Sequence, residues 1–208
     1  MKRLFLCVLM LCLLAGCVQD NRDDRVIEKS HERKPKWVQH TVLESKHYIY
    51  FIQSVRSGLH SPRFAYKASI RQLHAYMKEE VNALYLPMKE VVGQDTYAKE
   101  TVQFYNVVST DIMSQIRDEK AIYYEVVQVN YNERIQNQYD YTVAIRLRKK
   151  AFRSAQKRFL IRQRHIAKLS NKTLLHQSIN KIIEDLEQIR DEEHLKSQSL
   201  KENLVNFD

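Results

Sequence analysis

Tyr139-Asp140-Tyr141-Thr142-Val143-Ala144-Ile145-Arg146-Leu147 is the stretch from which the fold of this 208-residue chain is read. Tyr139, Tyr141, Val143, Ile145 and Leu147 fall on one side of an extended backbone, and Asp140, Thr142 and Arg146 fall on the other. That period of two marks a half-buried strand. Immediately upstream, Ala121 to Tyr131 reads as its neighbour, with Asn132 to Gln138 as the hairpin loop between them. A third strand is read at His47 to Val55, where Tyr, Ile and Phe crowd both faces.

Between these strands the apolar period changes to that of a helix. Ser61-Pro62 offers a cap followed by proline at the first helical position. Tyr66, Ile70, Leu73, Met77, Val81 and Leu84 then share one stripe until Pro87 ends it. After Gly93, Asp95 can open a second helix with Ala98, Tyr105, Val108, Ile112 and Ile116 along one side.

Downstream of the decisive strand the chain reads as helical throughout, from Lys149 to Leu169 and from Thr173 to about Lys196, with a break at Ser170-Asn171. Phe152, Phe159 and Ile166 recur every seven residues, and Leu175, Ile179, Ile182, Leu186 and Ile189 alternate spacings of four and three. The whole predicts an α+β fold: a short antiparallel sheet of about three strands packed by helices, followed by a C-terminal helical hairpin or coiled coil.

Charge sharpens the reading of that tail. The chain carries +9, yet no Asp or Glu occurs between Tyr141 and Ile183, where twelve Lys and Arg fall. Acid returns at Glu184, Asp185 and Glu187. An antiparallel hairpin turning at Ser170-Asn171 would set Lys157 near Glu184, and Lys149 and Lys150 near Asp191 and Glu192. Arg158, Arg162, Arg164 and Lys168 would stay unmatched, a candidate patch for an anionic partner. The bland alternative is a solvated basic face.

The N-terminus sets the expected address. Met1-Lys2-Arg3 is cationic, Leu4 to Leu14 is an unbroken apolar run, and Ala15-Gly16 precede Cys17. This is the layout of a secretory signal peptide, and eleven apolar residues fall short of the roughly 20 that span a bilayer as a helix. Leu14-Ala15-Gly16-Cys17 resembles the lipobox of bacterial prolipoproteins. The resemblance implies cleavage before Cys17, diacylglycerol on its thiol, and an N-acyl chain such as palmitate on the new amino group. Val18 after the cysteine points to the outer membrane facing the periplasm over the inner one. Expected organisation is a signal peptide over 1–16, a lipidated N-terminus and flexible tether over 17–36, an α+β domain over 37–148, and a charged helical hairpin and tail over 149–208.

Several chemistries are excluded or left without support. Gly16, Gly58 and Gly93 are the only glycines, so neither a phosphate-binding loop nor a dinucleotide fingerprint exists. Cys7, Cys12 and Cys17 are the only cysteines, and all three are spent on the leader or the lipid. The eight histidines show no metal-ligand spacing, no serine sits in a nucleophile elbow, and the twelve tyrosines read as residues of half-buried strands. No catalytic residue, metal or cofactor is expected beyond the lipid itself.

Together with the lipobox, Pro35-Lys36-Trp37-Val38, the helix through Ala65-Tyr66-Lys67-Ala68 to Leu73 and Val81, and Tyr141-Thr142-Val143-Ala144-Ile145-Arg146-Leu147 resemble small outer-membrane lipoproteins. That family includes a surface antigen and flagellar assembly or basal-disk proteins. The chain departs from it at Ile52-Gln53-Ser54, where the family usually carries glycine, and in the charged tail after Lys150. The resemblance implies a non-catalytic envelope lipoprotein acting as a structural or assembly component through protein–protein contacts or self-association. The alternatives are a regulator of a cell-wall synthase, or a binder of anionic envelope polymers such as lipopolysaccharide or peptidoglycan. No nucleic-acid partner is expected of an exported chain.

Overall fold

A computed structural model describes residues 24–116, 120–131 and 134–199. The expected signal peptide and the residues Leu14, Ala15, Gly16 and Cys17 lie outside these. The fold is α+β. Five strands, β1 (Arg25–Lys29), β2 (Val42–Glu44), β3 (Tyr48–Ser57), β4 (Lys120–Tyr131) and β5 (Arg134–Arg148), form one sheet in the order β1-β4-β5-β3-β2. Every pairing is antiparallel. The main helices are α1 (Arg63–Tyr85), α2 (Gln94–Ile116), α3 (Lys149–Leu169) and α4 (Thr173–Ser199).

β5 takes the central place because the decisive stretch pairs on both edges: Val143 lies opposite Gln53 on one side and Ile122 on the other. Its Tyr141, Val143, Ile145 and Leu147 face the helices and join the main apolar cluster. Helix α1 is tied to it by the buried Ser69 hydroxyl, which donates to the Val143 carbonyl at 2.8 Å. The start of α1 falls one residue later than expected, with Pro62 in the cap position and Arg63 as the first helical residue; the Ser61 hydroxyl still accepts from the Arg63 amide at 3.3 Å. The buried stripe of α1 runs Ala65, Ser69, Leu73, Met77, Val81 and Tyr85, so Tyr66, Ile70 and Leu84 flank it. At its end the Tyr85 hydroxyl donates to Glu100 of α2 at 2.7 Å. Burial, and then that bond, push the phenol well above its ordinary range.

Two edge strands correct the expectation of about three. Residues 17–36 read as a tether, yet Arg25 to Lys29 pair with β4 from Gln128 to Glu125, with a register shift between Val26 and Glu28. All five of these residues are exposed, so apolar burial does not order them. Backbone pairing does, supported by Asp24 on Arg56 at 2.6 Å and by the Tyr124 hydroxyl on Glu28 at 2.7 Å. The following segment continues onto the sheet, where His31 stacks on the buried Tyr123 ring with centroids 6.3 Å apart. The expected Asn132–Gln138 loop is also shorter, because β5 begins at Arg134 and the ladder runs to its pairing with Tyr131. Trp37 stands in a 3-10 turn, Lys36–Gln39, and is half-buried.

The second correction concerns the tail. Helices α3 and α4 do not stand apart from a domain ending at Arg148. Their Phe152, Ala155, Phe159, Leu160, Ile179, Ile182 and Leu186 belong to the same apolar cluster as Phe51, Leu73, Phe104 and Ile112. Phe104 of α2 stacks on Phe159 with centroids 4.4 Å apart and planes 6° from parallel. The seven-residue repeat stops at Phe159, because Ile166 is exposed and Ala167 is buried in its place. A helix that fills the core of a sheet must present a wider stripe than a two-helix seam.

Phe159→Ala therefore costs about 3 to 5 kcal/mol of stability, read as a lower urea midpoint. A chain ending at residue 148 exposes Phe104 and Ile112 and loses its cooperative transition.

Candidate anion-binding surface

Helix α3 buries Phe152, Ala155, Gln156, Phe159, Leu160 and Ala167 and turns its basic residues outward. Their acidic partners come from four different elements. Lys149 bonds Glu44 of β2, Arg153 reaches Glu80 of α1 at 3.2 Å, Arg158 pairs with Asp111 of α2, and Lys157 pairs with Glu187 of α4. The pairing of α3 with α4 alone was the wrong template. Lys157 meets Glu187, one helical turn beyond the expected Glu184, and Lys149 turns to the sheet edge. The side chains of Asp191 and Glu192 lie outside the described residues.

Arg158, expected to stand unmatched, has an acidic neighbour. Arg164 donates to the Asn180 side chain at 3.3 Å. Arg162 and Lys168, with the adjoining Lys172, are exposed and have no ionic partner among the described residues.

The four candidate cations converge. Arg158, Arg162, Arg164 and Lys168 line one shallow hollow of about 430 Å³, together with Ile161, His165 and His176. A second hollow of about 1010 Å³ is lined by Lys46, His47, Arg148, Lys149, Lys150, Arg153, Lys157 and Arg158, and also by Glu187. Arg158 borders both, so a basic surface runs along α3 from the end of β5 toward the turn. His165 and His176 were not singled out from the sequence. The spacing of Arg158, Ile161, Arg162 and His165 on one helical face carried the signal for His165, whereas His176 enters only through the packing of α4.

Chemically, the smaller hollow offers guanidinium forks, an ammonium group and two imidazoles, with no carboxylate among its lining residues. Planar guanidinium groups suit two-point contact with phosphate or carboxylate oxygens. Among the described residues no three His, Cys, Asp or Glu side chains gather as a metal group, and no helix is long and apolar enough to cross a membrane.

Comparison of the chain with known protein families, with curated proteins and with solved structures finds no match.

Asp111 holds Arg158 at the junction of the two hollows, so Asp111→Asn frees a cation there. Both partners are substantially exposed, so the fold changes by less than about 1 kcal/mol. Elution from a heparin column moves to higher salt, while the urea midpoint stays near that of the native chain.

Proposed function

We propose that this chain is a non-catalytic envelope lipoprotein, held by acyl chains on Cys17, that binds anionic envelope groups through α3 and so serves as a structural or assembly component. The observation that carries the reading is the convergence of Arg162, Arg164 and Lys168 on one hollow without a lining carboxylate, with Arg158, held by Asp111, at the same hollow. Under this reading α3 and α4 work as a charged helical hairpin. Its root is fixed by four ion pairs to neighbouring elements, and its outer half is left for a ligand. An anionic polymer with regularly spaced phosphate or carboxylate groups would meet several cations at once. Such contacts weaken as salt screens them.

The anchor rests on the lipobox Leu14-Ala15-Gly16-Cys17 and on the apolar run before it. An outer-membrane position facing the periplasm, and a role in flagellar or related assembly, rest on the resemblance to small outer-membrane lipoproteins.

Two measurements test the reading. Cells expressing the chain incorporate a labelled palmitate analogue into it, and Cys17→Ser abolishes the label; a labelled serine variant would refute the anchor. Arg162→Gln combined with Lys168→Gln weakens heparin binding at least tenfold at 0.15 M salt and flattens its salt dependence. Unchanged binding would remove α3 as the anion-binding element.

A further inference from the structure

The turn between α3 and α4 exposes large apolar side chains. Leu169 and Leu174 have relative exposures of 71% and 73%, the two highest among the large hydrophobic side chains of the described residues, and Ile166 stands at 47%. A lone exposed leucine is ordinary. Here three large apolar side chains lie within nine residues and cap one end of a helix pair, and the residues around them are cationic. Arg162, Ile166 and Leu169 are spaced four and three apart along one side of α3, and Lys168 and Lys172 flank the turn. No Asp or Glu occurs between Tyr141 and Ile183.

Much of the backbone of the turn is paired from within. Asn171 adopts φ of 53°, the left-handed conformation that closes a helix. The Ser170 amide donates to the Ile166 carbonyl at 3.0 Å, and the Lys172 amide donates to the Ala167 carbonyl at 2.9 Å. The first turn of α4 is tied down as well, by His176 to the Lys172 carbonyl at 2.9 Å. These bonds hold the shape of the tip, and the first-turn amides of α4 that remain, those of Leu174 and Leu175, can be met by water or headgroup oxygens at the depth of a lipid interface.

We infer that the α3–α4 turn docks on an anionic lipid bilayer, with Leu169 and Leu174 entering the interfacial layer and Arg162, Lys168 and Lys172 meeting headgroup phosphates. Apolar side chains ringed by Lys and Arg are the composition that holds a surface segment at that depth. The long stems of the cations lie along the acyl boundary while their charged ends stay at the headgroups. A protein partner for the same tip would have to supply both an apolar cup and a ring of acid, whereas an anionic bilayer presents both layers in the required order. The inference rests on the anion-binding reading above and names the source of the anions.

The test uses the chain from residue 18 onward, which contains every described element and has no cysteine. Co-sedimentation compares vesicles of phosphatidylcholine alone with vesicles containing 30% phosphatidylglycerol, and heparin binding is measured in parallel. The native chain binds only the anionic vesicles. Leu169→Ser with Leu174→Ser lowers that affinity at least tenfold and leaves heparin binding within twofold, because both side chains are already exposed in the fold. A fluorophore on Leu169→Cys shifts to the blue on anionic vesicles. Undiminished vesicle binding by the double serine variant, or heparin binding without vesicle binding by the native chain, overturns the inference and leaves the anion-binding reading standing. Loss of both ligands in the native chain overturns both. Self-association that the serine variant abolishes, with no vesicle binding, assigns the tip to a second copy of the chain instead.

Discussion

Phe104 and Phe159 stack with centroids 4.4 Å apart, and this contact makes a single core out of a sheet and the helices that follow it. Phe104 also meets Tyr85 edge-on at 5.6 Å, so the end of α1, the middle of α2 and the middle of α3 converge on one aromatic group. Such pairs contribute about 0.5 to 1.5 kcal/mol beyond the burial of their area. Their further role is positional. They fix the rotation of α3 about its own axis, and that rotation decides which of its residues face water. With Phe152, Phe159 and Leu160 held inward, Arg158, Arg162 and Lys168 have nowhere to go but the surface.

Electrostatics then divides α3 into two halves. Lys149, Arg153, Lys157 and Arg158 each find a carboxylate on a different neighbouring element. Beyond Arg158 no carboxylate among the described residues pairs with a cation of α3, and Arg164 turns to the neutral Asn180. The first half thus spends its charge on docking the helix against the fold, although exposed pairs of this kind add little stability individually. The second half keeps its charge, and a long-range field persists there until salt screens it over about 8 to 10 Å.

The sequence made the centre of this fold more legible than its edges. The alternation from Tyr139 to Leu147, the helical stripe through Leu73, Met77 and Val81, and the break at Asn171 all stand where local pattern places them, because each depends on residues close together in the chain. β1 and β2 left no such trace: Arg25 to Lys29 are exposed on every residue, and their order comes from backbone bonds to β4, about a hundred residues away. Phe104 was missed because the stripe through Ala98 and Tyr105 was drawn one position off, and Ala98 is exposed. The four candidate cations were legible from the absence of acid around them. Arg158's neighbour Asp111 was not, since a helix separated from it in sequence by the hairpin of β4 and β5 supplies it.

β1 carries a mechanical consequence. Pairing with β4 pins the chain from Arg25 onward, and Asp24 is held by Arg56. A lipid on Cys17 would then be separated from Asp24 by seven Cα steps, a leash of at most about 25 Å when fully drawn out. A body so tightly leashed sweeps only a thin layer above its membrane, of the order of its own thickness. Partners of a chain anchored in that way would have to come into that layer, which would favour ligands that already lie on or near the same surface over targets across a cell wall.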